Sequence, residues 1–455
     1  MYQKEDPIIA LATPLGVGAI AVIRLSGKNI ISIVNQVFHG KDLTKQPSHT
    51  LHFGVIQKGD RLIDEVLVSL FIAPHSFTKE DAVEISCHGS PFIIEQLIQL
   101  FIEQGVRMAE AGEFTKRAFL NGRFDLAQAE AVADLIAAES TLAHQTALHQ
   151  MRGGFSLQLK ALRSELVHFA AMLALELDFA EEAVEFLDRT ALSQLVDKLI
   201  LTLHDLVESF RLGNVIKHGI SVVIVGKPNT GKSTLLNQLL EEERAIVSPI
   251  AGTTRDVIEG QLHLAGILFR FMDTAGLREA VSDEIEAIGM ERTKQQVKKS
   301  TLMLYMVDLT EATFLAAEDA LKKLNPQGIA LLKIGNKRDL ATSTTIASFS
   351  NSDYLLLSAQ DKTDIALLNS KLVEWVQQQK IQTTGAVVVN ARHYDRLQQS
   401  KQALEEVKLG ITQQLTNELL VVDIHSACYA LGEITGEITT EELLGEIFSK
   451  FCIGK

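Results

Sequence analysis

The chain has 455 residues, 46% hydrophobic and 22% charged, which suits about three globular domains and excludes a disordered, collagenous or disulfide-built protein. Its 43 Lys plus Arg against 57 Asp plus Glu give −14, so bulk charge will not hold nucleic acid; that would need a local basic patch or a partner bringing cations. Three cysteines, Cys87, Cys428 and Cys452, are too few for a disulfide framework or zinc site and read as reduced thiols of a cytosolic protein.

In chain order, Ile8 to Ile23 carries no charge, but Glu5 and Asp6 precede it and Pro14, Gly16 and Gly18 break it. It reads as two short strands around a turn rather than a signal or membrane segment. No uncharged apolar run approaches the ~20 residues of a membrane span, so the expectation is a cytoplasmic protein with no membrane contact. Strands are expected at Ala19–Ile23, Val66–Ile72 and Ala82–Ser86, and a helix from Pro91 to Gln104. Residues 1–120 thus predict an α+β domain.

From Asp125, apolar residues recur at helical spacing through Leu126, Ala129, Ala133, Ile136 and Ala137, and the pattern runs on to about Leu212. This predicts long antiparallel helices over 121–217. From Ile220 the pattern becomes strand–loop–helix, with strands at Val222–Val225, Ile267–Met272, Leu302–Val307, Ile329–Ile334 and Tyr354–Leu357. That alternation predicts a doubly wound parallel sheet over 218–379. Helical texture returns over 380–455, with Leu397–Val407 and Asn417–Leu431, so a helical domain interrupted by an α/β insertion is expected.

The strongest chemical signal is Gly226-Lys-Pro-Asn-Thr-Gly231-Lys232-Ser233, directly after a strand and before Thr234-Leu-Leu-Asn-Gln-Leu-Leu240. This is a phosphate-binding loop in the setting it needs. Its glycines let backbone N–H groups converge on a phosphate, Lys232 offsets phosphate charge, the helix N-terminus adds its dipole, and Ser233 can ligate magnesium. Asn229, Thr230, Gly231 and Thr234 complete its nucleotide contacts.

Asp273-Thr274-Ala275-Gly276 ends the strand 267–272 beside that loop. Asp273 can hold a magnesium-bound water there, and the Gly276 N–H can approach a γ-phosphate. Thr253-Thr254-Arg255-Asp256 reads as a switch loop closing on magnesium through Thr254, with Ser248, Pro249, Ile250, Ala251 and Gly252 in the same nucleotide-facing stretch.

Asn336-Lys337-Arg338-Asp339 selects the base. The Asp339 carboxylate can accept from N1–H and the exocyclic amine of guanine, whereas adenine offers it a lone pair. Ser358-Ala359-Gln360 can add a backbone N–H to the guanine oxygen. One position departs from the Ras-like pattern: Leu277 stands where a glutamine would orient the attacking water. Arg278, Glu279, Asp283, Glu284 and Glu286, with a cation, are the candidates to replace it.

With these residues in hand, the chain resembles the MnmE (TrmE) family of bacterial tRNA-uridine-modifying GTPases over essentially its whole length. The resemblance also rests on Ala12-Thr-Pro14, Ile23-Arg24-Leu-Ser-Gly27, Ser76-Phe-Thr-Lys-Glu-Asp81, Cys87-His-Gly89, Gly112-Glu-Phe-Thr115 and the run Phe119 to Glu130. Gly432-Glu-Ile-Thr-Gly-Glu437 and the terminal Phe451-Cys-Ile-Gly-Lys455 complete it.

The resemblance implies a tetrahydrofolate-binding-like N-terminal domain, a discontinuous helical domain and an inserted Ras-like P-loop G domain. It further implies a homodimer that acts with a flavin-dependent partner, MnmG (GidA), so that FAD enters only through the partner. Together they would form carboxymethylaminomethyl or aminomethyl groups at C5 of the wobble uridine of certain tRNAs, using a folate one-carbon unit and GTP hydrolysis. Carried over by position, Arg24, Glu84, Arg123 and Lys455 would bind folate. Asn229, Ser248, Ile250 and Thr253 would ligate K+, and Ser233 and Thr254 would ligate Mg2+. Catalysis would fall to Lys232, Thr254 and Glu286, with Glu284 as the alternative for positioning water. Cys452 matches the family's C-terminal cysteine without an assigned role. The competing reading shares every G-domain residue: a GTP-controlled binding switch in ribosome assembly, with no modification activity.

Overall fold

Alternating apolar positions in the N-terminal region build a seven-stranded sheet from β1 (Ile8–Leu11), β2 (Gly18–Ser26), β3 (Phe38–His39), β4 (Thr50–Lys58), β5 (Arg61–Phe71), β6 (Ala82–Gly89) and β7 (Arg107–Met108). The order is β3-β4-β5-β6-β2-β1-β7, antiparallel throughout except for the β1–β7 pair. On one face Ile23, Leu25, Val66, Val68, Val83 and Ile85 pack against α1 (Ile30–Val37) and α2 (Pro91–Glu103) in a shared core. The other face leaves Leu51, Phe53 and Leu67 exposed.

The structure is a computed structural model that describes residues 6–178, 189–242, 258–272, 295–326, 328–378 and 387–454. The chain divides into two compact units, 1–136 with 148–203 and 396–455, and 137–147 with 204–395. β4 was absent from the sequence reading because Gly54 interrupts its apolar pattern. The reason lies in the packing: a Cβ at 54 would come within 2.4 Å of the Phe38 ring.

The rest of the first unit is helical. Segments far apart in sequence meet, as the helix 417–435 lies along the helix 154–178. Arg163 pairs with Glu437 and donates to the Cys428 carbonyl (3.3 Å), Asn417 bonds Glu176 (2.7 Å), and Lys408 pairs with Asp197 (2.6 Å). Among the described residues, no helix is long and apolar enough to cross a membrane.

The second unit holds a six-stranded sheet of β8 (Ile220–Val225), β9 (Ile258–Leu264), β10 (Ile267–Met272), β11 (Leu302–Asp308), β12 (Ala330–Asn336) and β13 (Tyr354–Leu356), ordered β13-β12-β11-β8-β10-β9. Successive residues of β8 and β11 face opposite cores. Val222, Ile224, Leu302 and Leu304 meet the helices 232–242 and 362–378, while Val223, Val225, Met303 and Tyr305 meet the helix 314–324. Burial on both faces explains why these strands read as unbroken apolar runs.

Five strands are parallel, as expected, but β9 is antiparallel to β10 and corrects the all-parallel expectation. A two-residue turn joins the pair, with Ala265 at φ 49° and Gly266 at φ 79°, a backbone that matches the twist of a tight hairpin. Residues 139–142 brace that hairpin. Glu139 takes hydrogen bonds from Arg270 (3.0 Å, carboxylate) and His263 (2.8 Å, carbonyl), and the Leu142 N–H donates to Gly266 (3.2 Å).

Candidate functional site

The loop 226–231 leaves the C-terminal end of β8, a central strand, and feeds the helix beginning at Lys232, which aims backbone N–H groups and the helix dipole into one mouth. Its turn needs left-handed backbone at Asn229 (φ 62°) and Gly231 (φ 94°). A Cβ at Gly226 would lie 2.3 Å from the Met306 carbonyl, and one at Gly231 would lie 2.4 Å from the Asn336 amide, so both glycines are set by space. Lys232 Nζ donates to the Gly226 (2.9 Å) and Lys227 (2.7 Å) carbonyls, placing the ammonium across its own loop, and burial lowers its pKa below the ordinary lysine value. Thr230 is buried and donates to the Lys227 carbonyl, while Ser233 and Thr234 open the helix at exposed positions.

The base-selecting segment is wired to this loop. Asn336, at the end of β12, donates from Nδ2 to the Thr230 carbonyl (2.8 Å) and accepts the Ala359 N–H at Oδ1 (2.9 Å). Lys337, at φ 61°, pairs with Asp308 at 2.6 Å. Burial works to raise the Asp308 pKa, but hydrogen bonds from Lys337 and Thr310 outweigh it and hold the carboxyl below the usual range. Asp339 stands exposed beyond them. The Ser358 N–H donates to Asp364, which also pairs with Arg338 at 3.0 Å. The N–H groups of Ser358 and Ala359 therefore serve the corner itself. The bracing roles of Asn336 and Asp364 were missed, and for Asp364 no local sequence pattern marks them.

In the other unit, a cavity of about 520 Å³ is lined by Arg24, Glu84 and Arg123, with Phe71, Phe77 and Phe114 among its walls. Arg24 on β2 and Glu84 on β6 are register partners, and the guanidinium reaches the carboxylate at 2.8 and 2.9 Å. Arg123 donates to the Ser76 carbonyl (2.5 Å). The chain end reaches the same place: Arg24 Nη1 donates to the Gly454 carbonyl (3.3 Å), Ile453 bridges Ala111, and Gly112 N–H donates to Cys452 (3.3 Å). Phe77 was missed as a cavity residue. Among the described residues no cluster of His, Cys, Asp or Glu could hold a metal ion. Ser248, Pro249, Ile250, Ala251, Gly252, Thr253, Thr254, Asp273, Thr274, Ala275, Gly276, Glu286 and Lys455 lie outside the described residues.

A phosphate loop at the end of a central strand, tied by a buried asparagine to a corner carrying an exposed aspartate, defines a P-loop nucleotide-binding domain. Known proteins narrow this class. The family model for the MnmE helical domain matches residues 126–452, and that for the GTP-binding protein TrmE N-terminus matches 7–123. A tRNA modification GTPase MnmE of Cytophaga hutchinsonii is 51% identical, covering 100% of this chain and 98% of its own. Proteins of the same description from Flavobacterium psychrophilum (50%, 99% of each chain) and Bacteroides thetaiotaomicron (45%, 100% of each) are similar along their whole length. The chain belongs to the MnmE (TrmE) family of tRNA modification GTPases and is a GTP hydrolase acting in tRNA modification.

Proposed function

We propose that this GTPase forms the C5 carboxymethylaminomethyl or aminomethyl group on wobble uridine (position 34) of certain tRNAs in the cytoplasm, as a homodimer working with a flavin-dependent MnmG-type partner. The observation that carries this reading is the cavity in which Arg24, Glu84 and Arg123 converge with the chain end. A tetrahydrofolate derivative has a hydrogen-bonding ring edge, aromatic surface and terminal carboxylates. A carboxylate, three phenylalanine rings and two guanidiniums suit those features in turn. Lys455 would add a cation beside Gly454. The bound folate would supply the one-carbon unit and the partner its FAD. A partner that also brings tRNA-binding surface fits the −14 charge of this chain. The test is nucleoside mass spectrometry of bulk tRNA from a strain lacking the protein, complemented with the normal chain or with Arg24→Ala. Restoration by the normal chain alone is expected, and full modification without the protein would overturn the reading.

In the G domain, Asn229, Thr230, Gly231, Lys232, Ser233 and Thr234 would cradle the phosphates, and Asn336, Lys337 and Asp339 would hold guanine, with Ser358 and Ala359 shaping the corner through their bonds to Asp364 and Asn336. Ser233 and Thr254 would ligate Mg2+, and Glu286 would orient water. Leu277 leaves the developing γ-phosphoryl charge without the usual partner. Asn229, Ser248, Ile250 and Thr253 would hold K+ there, and Asn229 is exposed on the loop in support of that role. Steady-state hydrolysis should therefore be faster in potassium than in matched sodium buffer, and Asn229→Ala should erase the difference. Equal rates in both salts for the normal protein would remove the cation from the mechanism.

A further inference from the structure

Loop 74–79 forms one wall of the cavity, and Phe77 carries both of its arginines: the guanidinium carbons of Arg24 and Arg123 lie 5.5 and 5.0 Å from the ring centroid. An aromatic face attracts each cation and so offsets part of their mutual repulsion. Phe77 is thus the contact the two arginines share, beside Glu84 and Phe114 for Arg24 and the Ser76 carbonyl and Phe124 for Arg123.

Behind this wall is a buried network whose charged residues do not line the cavity. Glu113, 1% exposed, accepts from Arg107 (2.6 and 2.9 Å), the Glu110 N–H (2.9 Å) and Arg117 (3.0 and 3.3 Å). Burial alone would raise its pKa, but these donors outweigh burial and hold the carboxyl below the usual range. Arg117, 6% exposed, reaches past it to both oxygens of Glu80 (3.1 and 3.3 Å) and to the Asp6 carbonyl (2.8 Å).

Glu80 closes the circuit onto the loop. Its Oε2 accepts from the fully buried Ser26 hydroxyl (2.8 Å), which lies 2.6 Å from the Thr78 hydroxyl, and its carbonyl accepts from Ser76 (2.5 Å). Burying such charges costs about several kcal/mol per ion before pairing, so the network is poor value as stabilisation and better suited to holding one conformation.

We propose that Glu80 is a positioning residue for the cavity: anchored by Arg117 and Ser26, it fixes loop 76–80 so that Phe77 holds Arg24 and Arg123 at the spacing a reduced folate requires. This rests on the folate reading above. Glu80→Gln keeps size and an acceptor for Ser26 but removes the charge facing Arg117. With 5-formyltetrahydrofolate as probe, Glu80→Gln should weaken binding about tenfold or more, the scale of a lost charged hydrogen bond. In the modification assay KM for the folate should rise while kcat and GTP hydrolysis stay unchanged.

Because the effect runs through Phe77, adding Glu80→Gln to Phe77→Leu should cost little beyond Phe77→Leu alone. Ser26→Ala, which removes one Glu80 hydrogen bond without touching a charge, should move binding the same way and carries the test if Glu80→Gln does not fold. Equal binding by the normal protein and these variants, or additive losses in the double variant, would overturn this inference alone. A normal protein that binds no folate would overturn the folate reading and this inference with it.

Discussion

Asn336→Ala is expected to lower affinity for GTP and GDP alike by at least about 100-fold. The side chain is 3% exposed and bridges the Thr230 carbonyl to the Ala359 N–H. Truncation leaves two buried backbone groups without that bond, each at a cost of about 1–3 kcal/mol, and 2.7 kcal/mol already corresponds to about 100-fold. Both the phosphate loop and the base-facing corner lose their shared brace, so the loss should not depend on the γ-phosphate. Asp339→Asn should behave differently. Asp339 is exposed and lies outside the brace, so the site should survive and change its preference from guanine toward xanthine, which presents a carbonyl acceptor to the new amide N–H where guanine presents its amine. Titration with fluorescent guanine and xanthine nucleotides separates the two. Undiminished GTP affinity in Asn336→Ala would mean that the loop keeps its shape without the bridge.

Removing the last four residues is expected to abolish tRNA modification while leaving GTP hydrolysis intact. The deletion takes away the Gly454 carbonyl from Arg24, the Ile453–Ala111 bridge and the Cys452 carbonyl that receives Gly112 N–H. Gly454 is tightly seated: at φ 95°, a Cβ there would come within 2.4 Å of the Leu11 carbonyl. Gly454→Ala should therefore reproduce much of the truncation by displacing the end without shortening it. Parallel measurement of GTP hydrolysis and of modified nucleoside in bulk tRNA gives the comparison. A truncated protein that modifies tRNA fully would remove the chain end from the mechanism.

The nucleotide loop could be read from sequence because its chemistry is local: the glycines, Lys232 and the flanking strand and helix all lie within a short stretch, and each glycine is required by a particular close approach. The cavity could not be read in that way. Arg24, Glu84 and Arg123 come from a strand, its neighbour and a turn after a helix, and only the sheet register and the Arg123–Ser76 bond bring them together. Family resemblance alone named them. β9 escaped because Gln261 and His263 interrupt the continuous apolar run that marks the other strands of this sheet; both side chains face Glu139. Glu80, Glu113 and Arg117 received no structural role from the sequence, since nothing in a linear pattern marks a charge as buried.

The sheet edges set a limit on how copies of this chain can associate. A sheet normally offers its outermost strand to a neighbour, which can add its own strand and continue the ladder, productively or toward aggregation. Here β3 and β7 end one sheet with two residues each, and β13 ends the other with three. The remaining edge, the seven-residue β9, has Glu139 fastened to its His263 and to Arg270 of the adjoining strand. Inside β3, however, the nine-residue β4 is paired on its outer side only at Val55 and Ile56. Strand addition by a second copy is thus least open at β7 and β13, and at β9 it would have to work around the Glu139 contacts.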